Sequence, residues 1–213
     1  MTIKRNIIGS VSFTRSEDTD EMPKEFGGEA AIINTRTNLG WFEEEIAEGA
    51  FDEALADANV DIRVLFNHRD SEILGRTKAL TAKVFVNEKG NLGYSWIPDY
   101  ENPLHMQVGR SIMRKDITQS SFQFTIKSQE WIYDDQYQGG VLRRITKIER
   151  LYDVAPVTFP AYEEATAEAR SLAKDELDKA KAERNQNVTL QKQNEVKRSL
   201  DLLKVIKAKH LIS

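Results

Sequence analysis

Three residues of this chain have the types needed for acyl transfer: His68 in FNHRD, Ser121 in SSFQF and Asp153 in LYDVAPVTFPAY. A serine hydroxyl is a poor nucleophile until a neighbouring base takes its proton, and imidazole titrates in the range where it can do so near neutrality. The imidazole in turn needs a group that fixes its tautomer, which a carboxylate can be. Each residue alone has a plainer reading. A lone loop histidine is more often a hydrogen-bonding surface group than a catalyst. Serines such as Ser120 and Ser121 often open a strand without a role, and an aspartate at a strand start, as Asp153 reads here, is often a solvated turn residue. Arg69 and Asp70 read as ordinary surface charges.

The elements that must position these residues are partly visible. Asp61–Phe66 (DIRVLF) reads as a strand that runs into the polar loop carrying His68. Ser120–Lys127 (SSFQFTIK) alternates, so Ser120 shares the core face with Phe122 and Phe124, while Ser121 shares the opposite face with Gln123 and Thr125. A nucleophile on this strand is therefore better placed at Ser121. Leu151–Phe159 reads as a last strand closed by Pro160.

Elsewhere, Ala30–Asn34 is a short apolar run, and Ile46, Ala50, Phe51, Ala54 and Leu55 fall at helical spacing. Ala82–Val86 and Leu92–Ile97 flank NEKGN as a β-hairpin, and Gln129–Tyr133 with Val141–Ile148 make a second. Asn102 and Pro103 read as N-cap and first residue of a helix whose Leu104, Val108 and Ile112 form one stripe. Strands and helices are mixed rather than alternating, so the expected class is α+β.

Composition narrows the chemistry. The 213 residues contain no cysteine, which excludes disulfides, thiolate-bound zinc and a cysteine nucleophile. His68, His105 and His210 form no H-E-x-x-H pair, and the chain has no phosphate-binding glycine loop and no G-x-S-x-G elbow. No cofactor is expected. No apolar run approaches the roughly 18 residues that span a bilayer, and the N-terminal stretch lacks the apolar core of a secretory signal.

The net charge of −4 hides a division: residues 1–169 sum to −9 and residues 170–213 to +5. The last aromatic is Tyr162. The expected organisation is a folded domain over residues 1–162 and a charged, helix-prone or disordered tail over 163–213. With no aromatics to stack on bases and its basic charge diluted by acids, the tail argues against nucleic-acid binding.

Four segments, in order, resemble the prohead (procapsid) maturation serine proteases of tailed bacteriophages, a family related in fold to the herpesvirus assembly proteases. EEIAEGAF resembles the acidic–Gly–Ala–Phe segment, and VLFNHRD with ILGRTKAL the histidine segment. SSFQF resembles the nucleophile segment, usually serine before Phe-Gly-Phe, and LYDVAPVTFPAY the closing acidic–Val–Ser pattern that ends in Pro-Ala-Tyr. The likeness spans roughly residues 26–165. It implies Ser121 as nucleophile, His68 as general base and Asp153 as orienting acid. The sequence departs from the pattern at Gln123 (for Gly), Ala155 (for Ser) and Asp153 (for Glu). The herpesvirus relatives use a second histidine as third member. Only His210 follows the serine here, in the tail, and His105 reads as structural or exposed.

The resemblance further implies a mostly antiparallel β-barrel with surrounding helices. The mechanism also needs an oxyanion hole, which the sequence does not place; backbone N–H groups around the loop before Ser121 and Arg143–Arg144 are the candidate donors. The resemblance implies cleavage of the major capsid protein, of scaffold segments and of the chain itself inside the procapsid in the host cytoplasm, with contact to the portal and a homo-oligomer as further possibilities. The alternatives are a non-catalytic capsid-assembly or scaffolding protein that keeps the fold, and a protease–scaffold fusion.

Overall fold

A computed structural model describes residues 3–13, 22–159 and 167–210, with side chains over 10–13, 22–159 and 174–200. In chain order the elements are β1 (Ile3–Phe13), β2 (Phe26–Ala31), β3 (Thr37–Asn38), β4 (Glu43–Ile46), α1 (Asp52–Ala56), β5 (Arg63–Leu65), β6 (Ile73–Arg76), β7 (Ala82–Val86), β8 (Leu92–Trp96), α2 (Pro103–Met113), β9 (Gln119–Tyr133), β10 (Val141–Val157) and α3 (Ala167–His210). The chain divides into two compact units, residues 1–167 and 168–213. The boundary expected at residue 162 lies outside the described residues. Helix α3 accounts for most of the second unit.

The first unit is built on one ten-stranded sheet in the order β3-β4-β10-β9-β1-β2-β8-β7, with β5 and β6 joined to β10. The class is α+β, but the sheet differs from the expected closed, mostly antiparallel barrel. Among the described residues β3 and β7 stay unpaired with each other, so the sheet is an open half-barrel. It is also mixed, because β4 and β5 both run parallel to β10.

Strands β9 and β10 are each long and continuous. What reads in sequence as a strand at 120–127 plus a separate hairpin at 129–148 is one hairpin whose pairing runs from Val141↔Tyr133 to Val157↔Gln119. Its turn needs Gly139 at φ +64, where a Cβ would also lie 2.2 Å from the Trp41 carbonyl oxygen. The helix expected from Ile46 starts later: Ile46 ends β4, the chain turns at Gly49 with φ +76, and α1 covers only Asp52–Ala56. Ile46, Ala50, Phe51 and Ala54 are buried nonetheless, which is why their spacing reads as a helical stripe.

Helix α2 begins as its residues dictate, with the Asn102 side chain accepting from the Leu104 N–H and Pro103 at the first position. Val108 and Ile112 are buried and Leu104 partly so. His105 is structural: its Nε2–H donates to the Ile73 carbonyl (2.9 Å) and Nδ1 accepts the Asp99 N–H (2.8 Å), tying α2 to β6.

The core lies on one face of the sheet. Phe122 and Phe124 stack at 4.8 Å with Phe51 edge-on to Phe122, and Phe26, Trp96 and Tyr94 form a second stack. Each such pair contributes about 0.5–1.5 kcal/mol beyond area burial. Phe122 and Phe124 thereby fix the face that Ser121 and Gln123 present.

Candidate active site

Alternation along β9 sends Ser121 to the face opposite Phe122. Its cross-strand partner on β10 is Ala155, and the next pair on that face is Asp153 with Gln123. Asp153 reaches this face because β10 carries a bulge between Leu151 and Asp153, where Tyr152 is the extra residue. Leu151 is buried opposite Phe124, and strict alternation from Leu151 would have put Asp153 in the core as well. The bulge turns it to the Ser121 side. Asp153 is thus buried deep within a long strand, not solvated at a strand start as its sequence suggests.

His68 comes from the turn after β5, which pairs parallel with β10 at Asp153 and Val154. Asn67 and His68 both sit in the left-handed region, at φ +53 and +57, a conformation that costs non-glycine residues about 1 kcal/mol or more each. Asn67 holds the turn there. Its N–H donates to the Pro156 carbonyl (3.2 Å), its Nδ2 to Thr158 Oγ1 (3.2 Å), and its Oδ1 accepts the Thr158 N–H (2.9 Å).

In this setting His68 Nδ1 lies 2.5 Å from Asp153 Oδ1 and Nε2 lies 2.6 Å from Ser121 Oγ. The His68 and Asp153 side chains are about nine-tenths buried or more, and Ser121 is fully buried. An ionised carboxylate only accepts hydrogen bonds, so Nδ1 carries the proton and Nε2 accepts from the serine hydroxyl. Such a chain can take a proton from the serine and stabilise the imidazolium that results. The structure therefore brings His68, Ser121 and Asp153 together.

A sequence model of the caudovirus prohead serine protease family matches residues 11–181. The chain belongs to that family. Its class is serine peptidase, acting in the procapsid of tailed viruses. No curated protein and no solved structure matches the chain.

Ser120 faces away from His68; its Oγ lies 2.7 Å from the Tyr94 hydroxyl and donates to the Ser10 carbonyl. Burial pushes the Tyr94 phenol up, so it stays a neutral donor. Arg143 and Arg144 are far from the site: Arg143 pairs with Trp131, ten residues beyond Ser121 on β9 and roughly 30 Å away at about 3.3 Å per residue. Its guanidinium is buried against Glu44 and Gln129, and Arg144 pairs with Glu45, so neither serves an oxyanion at Ser121. The residues directly before Ser121 are not a loop either, because Gln119 and Ser120 are already paired in β9.

Gln123, bulkier than glycine, does not break the chain of hydrogen bonds. It lines a cleft of about 380 Å³ beside the site, together with Arg63, Asp70, Ile73, Tyr152 and Asp153. Among the described residues no group of three or more His, Asp or Glu side chains is placed to hold a metal ion. Asn67, Arg63 and Asp61 bear on the site and are not read as site residues from the sequence, which marks Ala155 only as a departure from the family pattern. The one local signal was Asn67, since asparagine tolerates the left-handed region better than most residues.

Proposed function

We propose that this chain is the serine endopeptidase that processes capsid and scaffold proteins, and itself, within the phage procapsid in the host cell. Ser121 attacks the scissile carbonyl while His68 Nε2 accepts its proton. The tetrahedral intermediate then collapses as His68 returns that proton to the leaving amine. Water repeats the two steps on the acyl-enzyme. Asp153 stays ionised, holding Nδ1–H toward itself and stabilising the imidazolium. The observation that carries this reading is the continuous hydrogen-bonded chain from Ser121 Oγ through both imidazole nitrogens to Asp153.

The test is co-expression with the cognate major capsid protein, comparing wild type with Ser121→Ala by intact mass. Processing that vanishes in the variant supports the proposal; processing that survives assigns cleavage to another residue or enzyme. A protease–scaffold fusion is the second reading, favoured by the 44-residue helix α3. It predicts that deleting residues 168–213 impairs shell assembly while cleavage of added capsid protein persists.

A further inference from the structure

Arg63 is the direct cross-strand partner of Asp153, so both side chains project from the same face, and both line the cleft beside the site. Neighbouring strands lie only about 4.8 Å apart, well within the reach of an arginine. A guanidinium that turned to Asp153 would compete with His68 for the carboxylate. It would also set a cation beside an imidazole that must itself become cationic.

Arg63 is instead turned back. Its Nη1 donates to the Asp61 carbonyl (2.9 Å) and its Nη2 lies 3.2 Å from Asp61 Oδ2. The Asp61 carboxylate is fixed in its turn by Arg76, through Nε to Oδ1 (2.9 Å) and Nη2 to Oδ2 (2.7 Å). Arg76 is the cross-strand partner of Arg63 on β6, so the sheet carries a row Asp153, Arg63, Arg76 with Asp61 bracing the two arginines.

We propose that Asp61 is a positioning residue that holds Arg63 away from the Asp153–His68 pair and so keeps the imidazole basic. This rests on the proteolytic role of His68 given above. Among the described side chains, the remaining charged groups around the pair are consistent with the assignment; on β1 the register partner of Gln123 is Lys4. Arg69 is engaged by Glu72 at 2.9 Å, and Asp70 lines the cleft, as does Tyr152 on β10. On β9 the neighbour is the uncharged Gln123, and from α2 His105 is occupied by Ile73 and Asp99. Lys78 acts on Asp61 itself.

The experiment is an NMR titration of the His68 ring nitrogens in the full chain, in wild type, Asp61→Asn, Arg63→Gln and the double variant, with kcat/KM against pH wherever a cleaved substrate is in hand. Asp61→Asn should lower the His68 midpoint by roughly 0.5 pH unit and reduce plateau kcat several-fold with little change in KM. Arg63→Gln should not lower it, and the double variant should return close to Arg63→Gln. Thermal melts separate this from unfolding. An unshifted midpoint in folded Asp61→Asn overturns the proposal, as does a shift that persists undiminished without Arg63. Loss of the proteolytic reading shows separately, as cleavage that survives Ser121→Ala.

Discussion

Ala155 and Ser121 face each other directly across β10 and β9, and the His68 imidazole spans the diagonal from Ser121 to Asp153, the residue two before Ala155. Diagonal neighbours in an antiparallel pair lie about 7–8 Å apart, a gap that an imidazole with a hydrogen bond at each end can bridge. The other corners of that rectangle are Ala155 and Gln123, and Ala155 is fully buried. A one-carbon side chain at this corner leaves room for the ring.

Ala155→Leu should therefore displace the imidazole and abolish cleavage, at a stability cost of about 1–3 kcal/mol for overpacking. Ala155→Ser should keep both. Cleavage assays paired with thermal melts check this. Full activity in folded Ala155→Leu would show that the ring has space to spare.

Removing the triad members should give unequal and non-additive losses. Ser121→Ala and His68→Ala should each lower kcat by roughly 10⁶-fold, and the double variant should be no worse than either. Asp153→Asn should cost about 10⁴-fold, because its amide favours the wrong tautomer. Single-turnover rates on a cleaved capsid segment measure all four, and additive losses would contradict the shared mechanism.

Much of this arrangement was legible in the sequence, and the illegible part has a physical cause. The hairpin at 82–97, the Asn102 cap and the two faces of β9 follow from local chemistry, and each appears in the structure. The strands β1, β4 and β6 were not read: EEEI and ILGR are too short to show a period, and β4 and β5 are held by parallel pairing with the distant β10. The position of Asp153 was unreadable for a sharper reason. Alternation counted from Leu151 gives the wrong face, and only the pairing with β9 reveals the extra residue.

Asn67 should matter for stability out of proportion to its surface position. Asn67→Ala loses both side-chain bonds to Thr158 and places alanine at φ +53, for an expected cost of about 2–3 kcal/mol. Asn67→Gly keeps the backbone preference and should cost less. Denaturant titration of the two variants gives the split; equal stability would mean that backbone strain is not what the asparagine relieves.

Acid stability should depend on Asp61. Its pairing with Arg76 lowers its carboxyl from 3.8 to about 2, so the folded state binds this proton more weakly than the unfolded chain. The stabilisation is complete above about pH 4 and is lost as pH falls through 2. Asp61→Asn should flatten the fall in melting temperature over that interval. An unchanged acid profile in the variant would place the loss at other carboxylates.

The far end of the hairpin offers a test independent of catalysis. Arg143 and Glu44 are almost wholly buried, 3.2 Å apart, with the Arg143 guanidinium 5.4 Å from the centre of the Trp131 ring. Arg143→Met removes the guanidinium from a buried carboxylate and should cost about 3–5 kcal/mol. Adding Glu44→Gln should recover part of that, and urea melts of the single and double variants read the coupling. Simple additivity would show that the two side chains act separately.

The extra residue at Tyr152 makes this site a matter of parity. Closing the bulge with Tyr152 still in place would leave every catalytic side chain in the sequence and would disturb no loop. It would nonetheless pair Tyr152 with Gln123, turn Asp153 into the hydrocarbon packed around Phe122, and slide the remainder of β10 by one place so that Val154 rather than Ala155 faced Ser121. A chain whose motifs all match can thus be silenced by a one-residue frame slip in the strand between them. In related sequences, the spacing from the core leucine to the acid is as informative as the identity of the acid itself.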